Sequence, residues 1–366
     1  MLLIDNEIVA AVLSMKDCIA VQERAFAGVL TGASISRPRI DTLVPCGKDD
    51  AYFRFGSIEG ATEGVHAVRL KSDIITWPAH EDGSWTREKY CMRPGVYRGL
   101  VLLFSTETGE PLAILNDGCL QHMRVGAAAG IGARLLSRPE SRRVGMIGSG
   151  GMARTILEAL ALVRPIEEVR VFSRDPANRT RFAREMSSRL GISVIPASSG
   201  REAARSAHIL ATATDSMLPV VEADWLQAGM HVIAIGPQDL APECEALLDV
   251  VVRQGEETLD LPETSQFKRN LGHSRNAFVA GSPEQQRRLP QVPRKQNSPR
   301  SWPLYADVIA GRATGRTSPE QITQYRAVGN WGLQFAACGG LVYRAARERG
   351  LGRELPSEWF VQSIRN

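Results

Sequence analysis

The sequence predicts an α/β protein of two domains, and three observations carry that prediction. From about residue 142 to 253, short apolar segments alternate with helical ones, the pattern of a parallel sheet with helices on both faces. A glycine-rich turn, Gly148-Ser149-Gly150-Gly151, joins the first of those segments to a helix. A long stretch of different, strand-rich character precedes that turn, and 366 residues exceed what one ordinary core needs.

Residues 8–32 read as a helix. Ile8, Val12, Ile19, Phe26 and Leu30 recur at helical spacing and Gly32 offers a stop. From 37 to 115 the pattern turns to strands. VHAVRLKSDI (65–74) and GLVLLFST (99–106) are rich in β-branched and apolar residues, and Thr108-Gly109-Glu110-Pro111 reads as a hairpin turn. An Ala- and Gly-rich helix is predicted over 119–137.

RRVGMIGSG (142–150) is then a short buried strand running into glycines, followed by a helix over Met152–Val163. Further strands are predicted at Glu168–Ser173, Ser193–Pro196, 208–214, 231–236 and 247–253, with helices at Arg179–Leu190 and Glu202–Ala207. Residues 282–303, rich in Pro, Arg and Gln, read as an exposed loop. Tyr325–Arg349 reads as one long C-terminal helix, interrupted at Gly339-Gly340. No internal repeat is visible.

Composition excludes several classes of function. Apolar residues make up 43% of the chain, charged residues 23%, and the net charge is only +4. That field is too weak to mark a nucleic-acid binder, and the basic loop at 282–303 has no interleaved aromatic platform. The six cysteines are scattered without C-x-x-C spacing, which predicts reduced thiols in a cytoplasmic protein and no metal centre. Asp5 and Glu7 interrupt the N-terminal apolar run, so it does not read as a secretion signal, and no apolar run is long enough for a membrane span.

Gly148-Ser149-Gly150-Gly151-Met152-Ala153 has the form G-x-G-x-x-A, between a strand and a helix. Gly148 permits the tight turn, Gly150 lets backbone approach a pyrophosphate, and Ala153 lets helix and strand pack closely. The helix N-terminus then offers unpaired N–H groups to the phosphates. These six residues therefore predict a Rossmann-type dinucleotide site. At the end of the second strand an NAD site usually carries an acidic residue for the ribose diol. Here Phe172 is followed by Ser173 and Arg174, which suit a 2′-phosphate. NADP(H) is favoured, and Asp175 keeps NAD(H) open.

At this point the chain resembles the ornithine cyclodeaminase/mu-crystallin family, through motifs in the family's order. These are Arg37-Pro38-Arg39, Val68-Arg69-Leu70-Lys71, the helix Gln121-His122-Met123-Arg124-Val125-Gly126-Ala127-Ala128, the glycine turn, Thr212-Ala213-Thr214 with Pro219-Val220, and Gly311-Arg312-Ala313 with Gly315-Arg316. The resemblance implies that Arg39 and Arg124 grip a substrate carboxylate, for which a guanidinium fork is shaped. It implies that Lys71 sits beside the reacting carbon, that Thr212 and Thr214 line the nicotinamide side, and that Asp239 serves as acid/base, with a loop cap as the alternative.

It also implies a homodimer joined through the sheet-rich domain. That α+β substrate-binding and dimerisation domain is expected over 1–125 plus 325–366, and the dinucleotide domain over 126–324.

The expected activity is a nicotinamide-dependent hydride transfer at the α-carbon of an amino acid or its imine, that is, an imine reductase or amino-acid dehydrogenase. An ornithine cyclodeaminase-type ammonia lyase and a non-catalytic, mu-crystallin-like binder are the alternatives. Three departures weigh against direct transfer of the ornithine activity. Phe335 stands where the family often has aspartate, the lysine expected between Asp239 and Glu245 is missing, and 282–303 is an insertion.

Overall fold

A computed structural model of the chain describes all residues except 237, 257–258, 260, 263, 265, 272–273, 291–301, 363 and 365–366. Strand β1 (Leu2–Ile4) leads into helices α1 (Asn6–Val12) and α2 (Met15–Gly28). One helix was expected here. The break comes because Ser14 caps α2, its hydroxyl accepting from the Asp17 N–H. Gly32, with φ +74°, ends the helical region.

Strands β2 (Ile35–Pro45), β3 (Ala51–Thr62), β4 (Val65–Thr76), β5 (Glu88–Tyr90), β6 (Gly99–Ser105) and β7 (Pro111–Asn116) follow. Their turns include the expected hairpin, with Gly109 at φ +77°. β4 changes partner along its length. β6 pairs with Val65–Lys71, and β5 pairs with Ile74–Thr76. The sheet therefore opens beside Lys71 and Asp73, and residues 91–98 cross that opening.

Helix α3 (Asp117–Leu136) carries the chain into the second sheet. β8 (Arg143–Ile147), α4 (Gly151–Val163), β9 (Glu168–Phe172), α5 (Pro176–Leu190), β10 (Ser193–Pro196), α6 (Gly200–Ala204), β11 (Ile209–Thr212), β12 (His231–Ala234) and β13 (Val250–Arg253) alternate as expected. Strands β14 (Phe267–Leu271) and β15 (Ser274–Val279), short helices α7 (Pro283–Arg287) and α8 (Tyr305–Ile309), strand β16 (Thr323–Arg326), helix α9 (Trp331–Glu348) and strand β17 (Arg353–Glu354) complete the chain. Of the expected loop at 282–303, residues 291–301 lie outside the described residues.

The second sheet is parallel throughout, in the order β10-β9-β8-β11-β12-β16-β13. Strand order reverses between β8 and β11, the place where such sheets bind ligands beyond their carboxyl ends. The expectation of one C-terminal helix from Tyr325 needs correction, because Thr323–Arg326 is a strand between β12 and β13. Tyr325 stacks on Tyr305 at 4.9 Å in the core, and this tertiary pairing overrides helical spacing. Gly329 and Asn330, both at positive φ, then turn the chain into α9.

Gly339 and Gly340 do not interrupt α9. A Cβ on them would stand 3.1 Å from Leu103 and 3.3 Å from Val65, so their absence of side chains lets α9 lie close on the first sheet.

That first sheet runs β14-β15-β2-β3-β4-β6-β7-β1-β17. The hairpin β14–β15, inside the span expected for the dinucleotide domain, belongs to this sheet instead. β15 pairs in parallel with β2 at Asp41–Leu43, and Leu271, Ala277 and Val279 of the hairpin bury an apolar cluster with Leu43 and Tyr52 there. One continuous core joins the two domains through α2, α3 and α9.

Helices α3 and α4 touch where glycine allows it. A side chain on Gly126 would run into the Thr155 backbone, and one on Gly130 would stand 2.9 Å from Ala159. No helix among the described residues is long and apolar enough to cross a membrane. Gly60 lies against the backbone at Gly332 and Leu333 of α9. Replacing Gly60 with Ala is expected to cost roughly 3 kcal/mol, read as a lower urea midpoint with an unchanged slope.

Candidate active site

The site face of β4 follows from strand periodicity. Its odd-numbered positions are buried, and they run from apolar (Val65, Ala67) through Arg69, Lys71 and Asp73 back to Ile75. Cross-strand register sets Asp41, Gly56 and Lys71 in one row, and Arg54 opposite Asp73 in the next. The row has room because Gly56 has no side chain: a Cβ there would meet Asp41 and stand 3.6 Å from Arg39.

Arg39 grips Asp41 with Nε at 2.8 Å and Nη2 at 2.5 Å. Lys71 is only 4% exposed. Its Nζ lies 3.1 Å from Asp73 Oδ1 and 2.9 Å above the centre of the Tyr97 ring, without an acceptor in hydrogen-bond geometry. Burial, with help from Arg69, holds its pKa below the usual lysine value against the opposing pull of Tyr97 and Asp73. Arg54, 2% exposed, shares Asp73 through Nη2, while its Nε and Nη1 have no hydrogen-bond partner. Burial alone would raise the Asp73 carboxyl, but Arg54 and Lys71 outweigh it and keep it below the ordinary range.

Arg124 comes from the middle of α3. Its guanidinium donates to Gln334 Oε1 at 2.7 Å and to Gln121 Oε1 at 2.9 and 3.2 Å. Among the described residues no carboxylate stands within ion-pair distance of it. Phe335, in the place of the family's frequent aspartate, packs under both Arg124 (5.1 Å) and Arg69 (5.3 Å). Burial and the neighbouring Arg69 push the Arg124 pKa down to about 10. Arg69 itself is neutralised by Asp117 and donates to the Tyr97 hydroxyl at 3.1 Å. Tyr97 thus links the Lys71 and Arg124 ends of the cleft, a role that sequence reading missed along with Arg54, Asp73, Gln121 and Gln334.

The glycine turn forms the opposite wall. Gly148, at φ +108°, lies under the Ala213 carbonyl, where any side chain would collide. Gly150 has open space where a Cβ would be and begins α4 without a side-chain cap, so the α4 N–H groups face outward as a phosphate site requires. Gly151 lies against the His122 ring and Ala153 is fully buried. Met152 is partly exposed beside them. This cradle fits a dinucleotide.

Ser149 donates to Ser173 at 3.0 Å. Arg174 reaches Ser84 of the first domain, and Arg179 donates to the Ser173 carbonyl at 2.8 Å. The Asp175 carboxylate caps α5 through the Ala177 and Asn178 amides.

Thr212 and Thr214 turn their hydroxyls to Asp239, at 2.6 and 3.3 Å, and the Gly236 amide adds a third donor at 2.9 Å. Asp239 is fully buried in this nest; its neighbour 237 lies outside the described residues. Residues 85–87 cross from the first domain to pair with 215–217, through Arg87 N to Asp215 O (3.1 Å) and Met217 N to Trp85 O (3.0 Å). Arg316 does not reach the cleft, and instead donates to the Leu136 and Gln321 carbonyls.

Comparison with known proteins bears on this arrangement. The model of the ornithine cyclodeaminase/mu-crystallin family matches residues 89–348. A putative dehydrogenase of Rhizobium meliloti is 34% identical over 260 residues, 71% of this chain and 73% of that protein. The structure of a Thermococcus litoralis Δ1-pyrroline-2-carboxylate reductase with NADH and L-proline superposes with a TM-score of 0.75 at 26% identity, covering 97% of this chain and all of that one. An archaeal alanine dehydrogenase dimer with bound NAD gives 0.73 at 25% identity, covering 97% and 99%.

Asp73→Asn is expected to destabilise the protein by roughly 3 kcal/mol at pH 7, because it strands Arg54 in the interior. A carboxylate with a depressed folded pKa stabilises above its unfolded value, about 3.9. That gain is lost as pH falls through the folded pKa. Denaturation of both forms across this range is therefore expected to show the gap narrowing below about pH 4.

Proposed function

We propose that this chain, which belongs to the ornithine cyclodeaminase/mu-crystallin family, is an NAD(P)-dependent oxidoreductase that reduces the imine of a 2-oxo acid to the amino acid, or runs the same step backwards as an amino-acid dehydrogenase. One observation carries the reading. Among the described residues the buried Arg124 guanidinium donates to two neutral carboxamides and pairs with no carboxylate, and Tyr97 connects its end of the site, through Arg69, to buried Lys71, which shares the single carboxylate of Asp73 with Arg54. That is a site prepared for an anion next to a proton donor. The relatives named as pyrroline-2-carboxylate reductase and alanine dehydrogenase act at such an α-carbon.

When bound, a reduced nicotinamide supplies the hydride. Arg124, assisted by Arg39, holds the substrate carboxylate and so orients the α-carbon. Lys71 holds a proton at the imine nitrogen, and its lowered pKa makes it a stronger acid than an exposed lysine. Asp239, accepting from Thr212, Thr214 and the Gly236 amide, ties those backbone segments together as a loop cap. The cyclodeaminase and binding-protein alternatives are not favoured: Phe335 replaces an acidic group with an apolar ring, and Lys71, Arg39 and Arg124 are all retained.

For the cofactor we favour NADP(H). Ser149, Ser173, Arg174 and Arg179 gather at the end of β9, and capping α5 already occupies Asp175. We also propose a homodimer through the outer face of the first sheet, where Phe55 and Phe278 lie in one cross-strand row through Thr42 and Leu100 is exposed on the same face. A cytoplasmic location accords with six free thiols, of which buried Cys18 and Cys338 lie 3.3 Å apart without a disulfide.

Reductive amination of a panel of 2-oxo acids, followed by nicotinamide absorbance, tests the activity. Lys71→Met is expected to lower kcat by about 10²- to 10⁴-fold without changing NADPH binding by fluorescence. Arg124→Met should instead raise KM for the oxo acid by about 100-fold, or about 3 kcal/mol. No turnover with any pair of oxo acid and amine would overturn the proposal. For the cofactor, Arg174→Ala is expected to lower kcat/KM for NADPH about tenfold and leave NADH unaffected. A parent enzyme that prefers NADH would refute the assignment.

A further inference from the structure

Three cations in the cleft are left over by the reaction just proposed. Arg54, Arg87 and Lys89 lie beyond Lys71 on the side away from Arg124. The order follows from register. Along the site face of β4, Arg69 is at the Arg124 end, Lys71 comes next, Asp73 faces Arg54 across the sheet, and Ile75 pairs with Lys89 of β5. Successive rows on one face are two residues apart, about 7 Å along the strand. Arg54 is buried with Nε and Nη1 unpartnered, and Arg87 Nε is likewise buried and unpartnered. Interiors rarely leave guanidinium donors in that state.

The charges around them do not cancel. Asp41 is bound by Arg39, and the single carboxylate of Asp73 serves both Arg54 and Lys71. Asp239 and the adjacent Asp215 attract Arg87, yet burial together with Arg54 and Arg39 still pushes its pKa down to about 9. Lys89 is driven well below the usual lysine value by burial and by Arg87, Arg54, Arg39 and Lys71 together. A cluster of cations with that excess of charge is completed by an anion.

We propose that the substrate carries a second carboxylate on its side chain, received by Arg54, Arg87 and Lys89 while Arg124 and Lys71 hold the reacting end. This rests on the oxidoreductase reading above and narrows its substrate class to the imines of short acidic 2-oxo acids. The spacing of one row between Lys71 and Arg54 suits a dicarboxylate with a short methylene chain.

The test compares 2-oxoglutarate with 2-oxopentanoate, which differ by a terminal carboxylate against a methyl group, each with ammonia and NADPH or NADH. Wild-type kcat/KM is expected to favour 2-oxoglutarate by about 100-fold or more. Arg87→Met and Lys89→Met are expected to cut that ratio by about tenfold each, mainly through KM. Thermal unfolding with glutarate or pentanoate supplies a readout independent of turnover: glutarate should raise Tm of the wild type and raise it less in Lys89→Met. Equal turnover of the two oxo acids, or preference for the neutral one, overturns the second carboxylate and leaves the activity standing. Should neither acid react, the activity is decided by the wider panel above and the subsite by the Tm comparison alone: a larger shift with glutarate than with pentanoate upholds it, and equal shifts end it.

Discussion

Asp73 neutralises two buried cations, Arg54 and Lys71, with one carboxylate, and the geometry of the cleft depends on that shared ion pair. Removing it leaves two uncompensated charges in the interior, a larger penalty than any single packing contact nearby. Keeping it leaves the group one positive charge in excess. The protein tolerates the excess because β4 changes partners at this level, which opens the sheet, and because the Tyr97 ring offers its negative face to the Lys71 ammonium. Fold and electrostatics are coupled here: the interrupted pairing that would weaken an ordinary sheet is what makes room for this group of charged side chains.

The other wall is built from close approaches. Gly148, Gly150 and Gly151 have separate tasks, set by what a Cβ at each would meet: a carbonyl, open space, or the His122 ring. Gly150 is the one left clear for a ligand, while its neighbours lock the turn against β11 and α3. Residues 84–87 of the first domain reach over this wall, bonding to Arg174 and to residues 215–217.

Much of the dinucleotide domain was legible because its signals are local. A strand, a glycine turn and a helix lie consecutively, and the alternation repeats downstream. What escaped reading depends on non-local pairing. Thr323–Arg326 has the composition of a helix start, and only its insertion between β12 and β13 makes it a strand. The hairpin at 267–279 returns to the first sheet through a parallel pairing with β2, which no short-range pattern announces. In the site, Lys71 and Arg124 were found through motif order. Arg54, Asp73 and Tyr97 were not, since charged residues at alternate strand positions resemble a solvent face. The available clue was that Arg69, Lys71 and Asp73 continue the parity of Val65, Ala67 and Ile75, which are apolar and interior.

Helix α3 carries Arg124 and, two residues earlier, sets His122 against the glycine turn. Gly126 and Gly130 seat the same helix directly on α4. Arg124 and the glycine turn are therefore fixed relative to each other through the packed pair α3–α4 rather than through the sheets. A side chain added at Gly126 or Gly130 would push α3 off α4 and so shift Arg124 and the glycine turn apart.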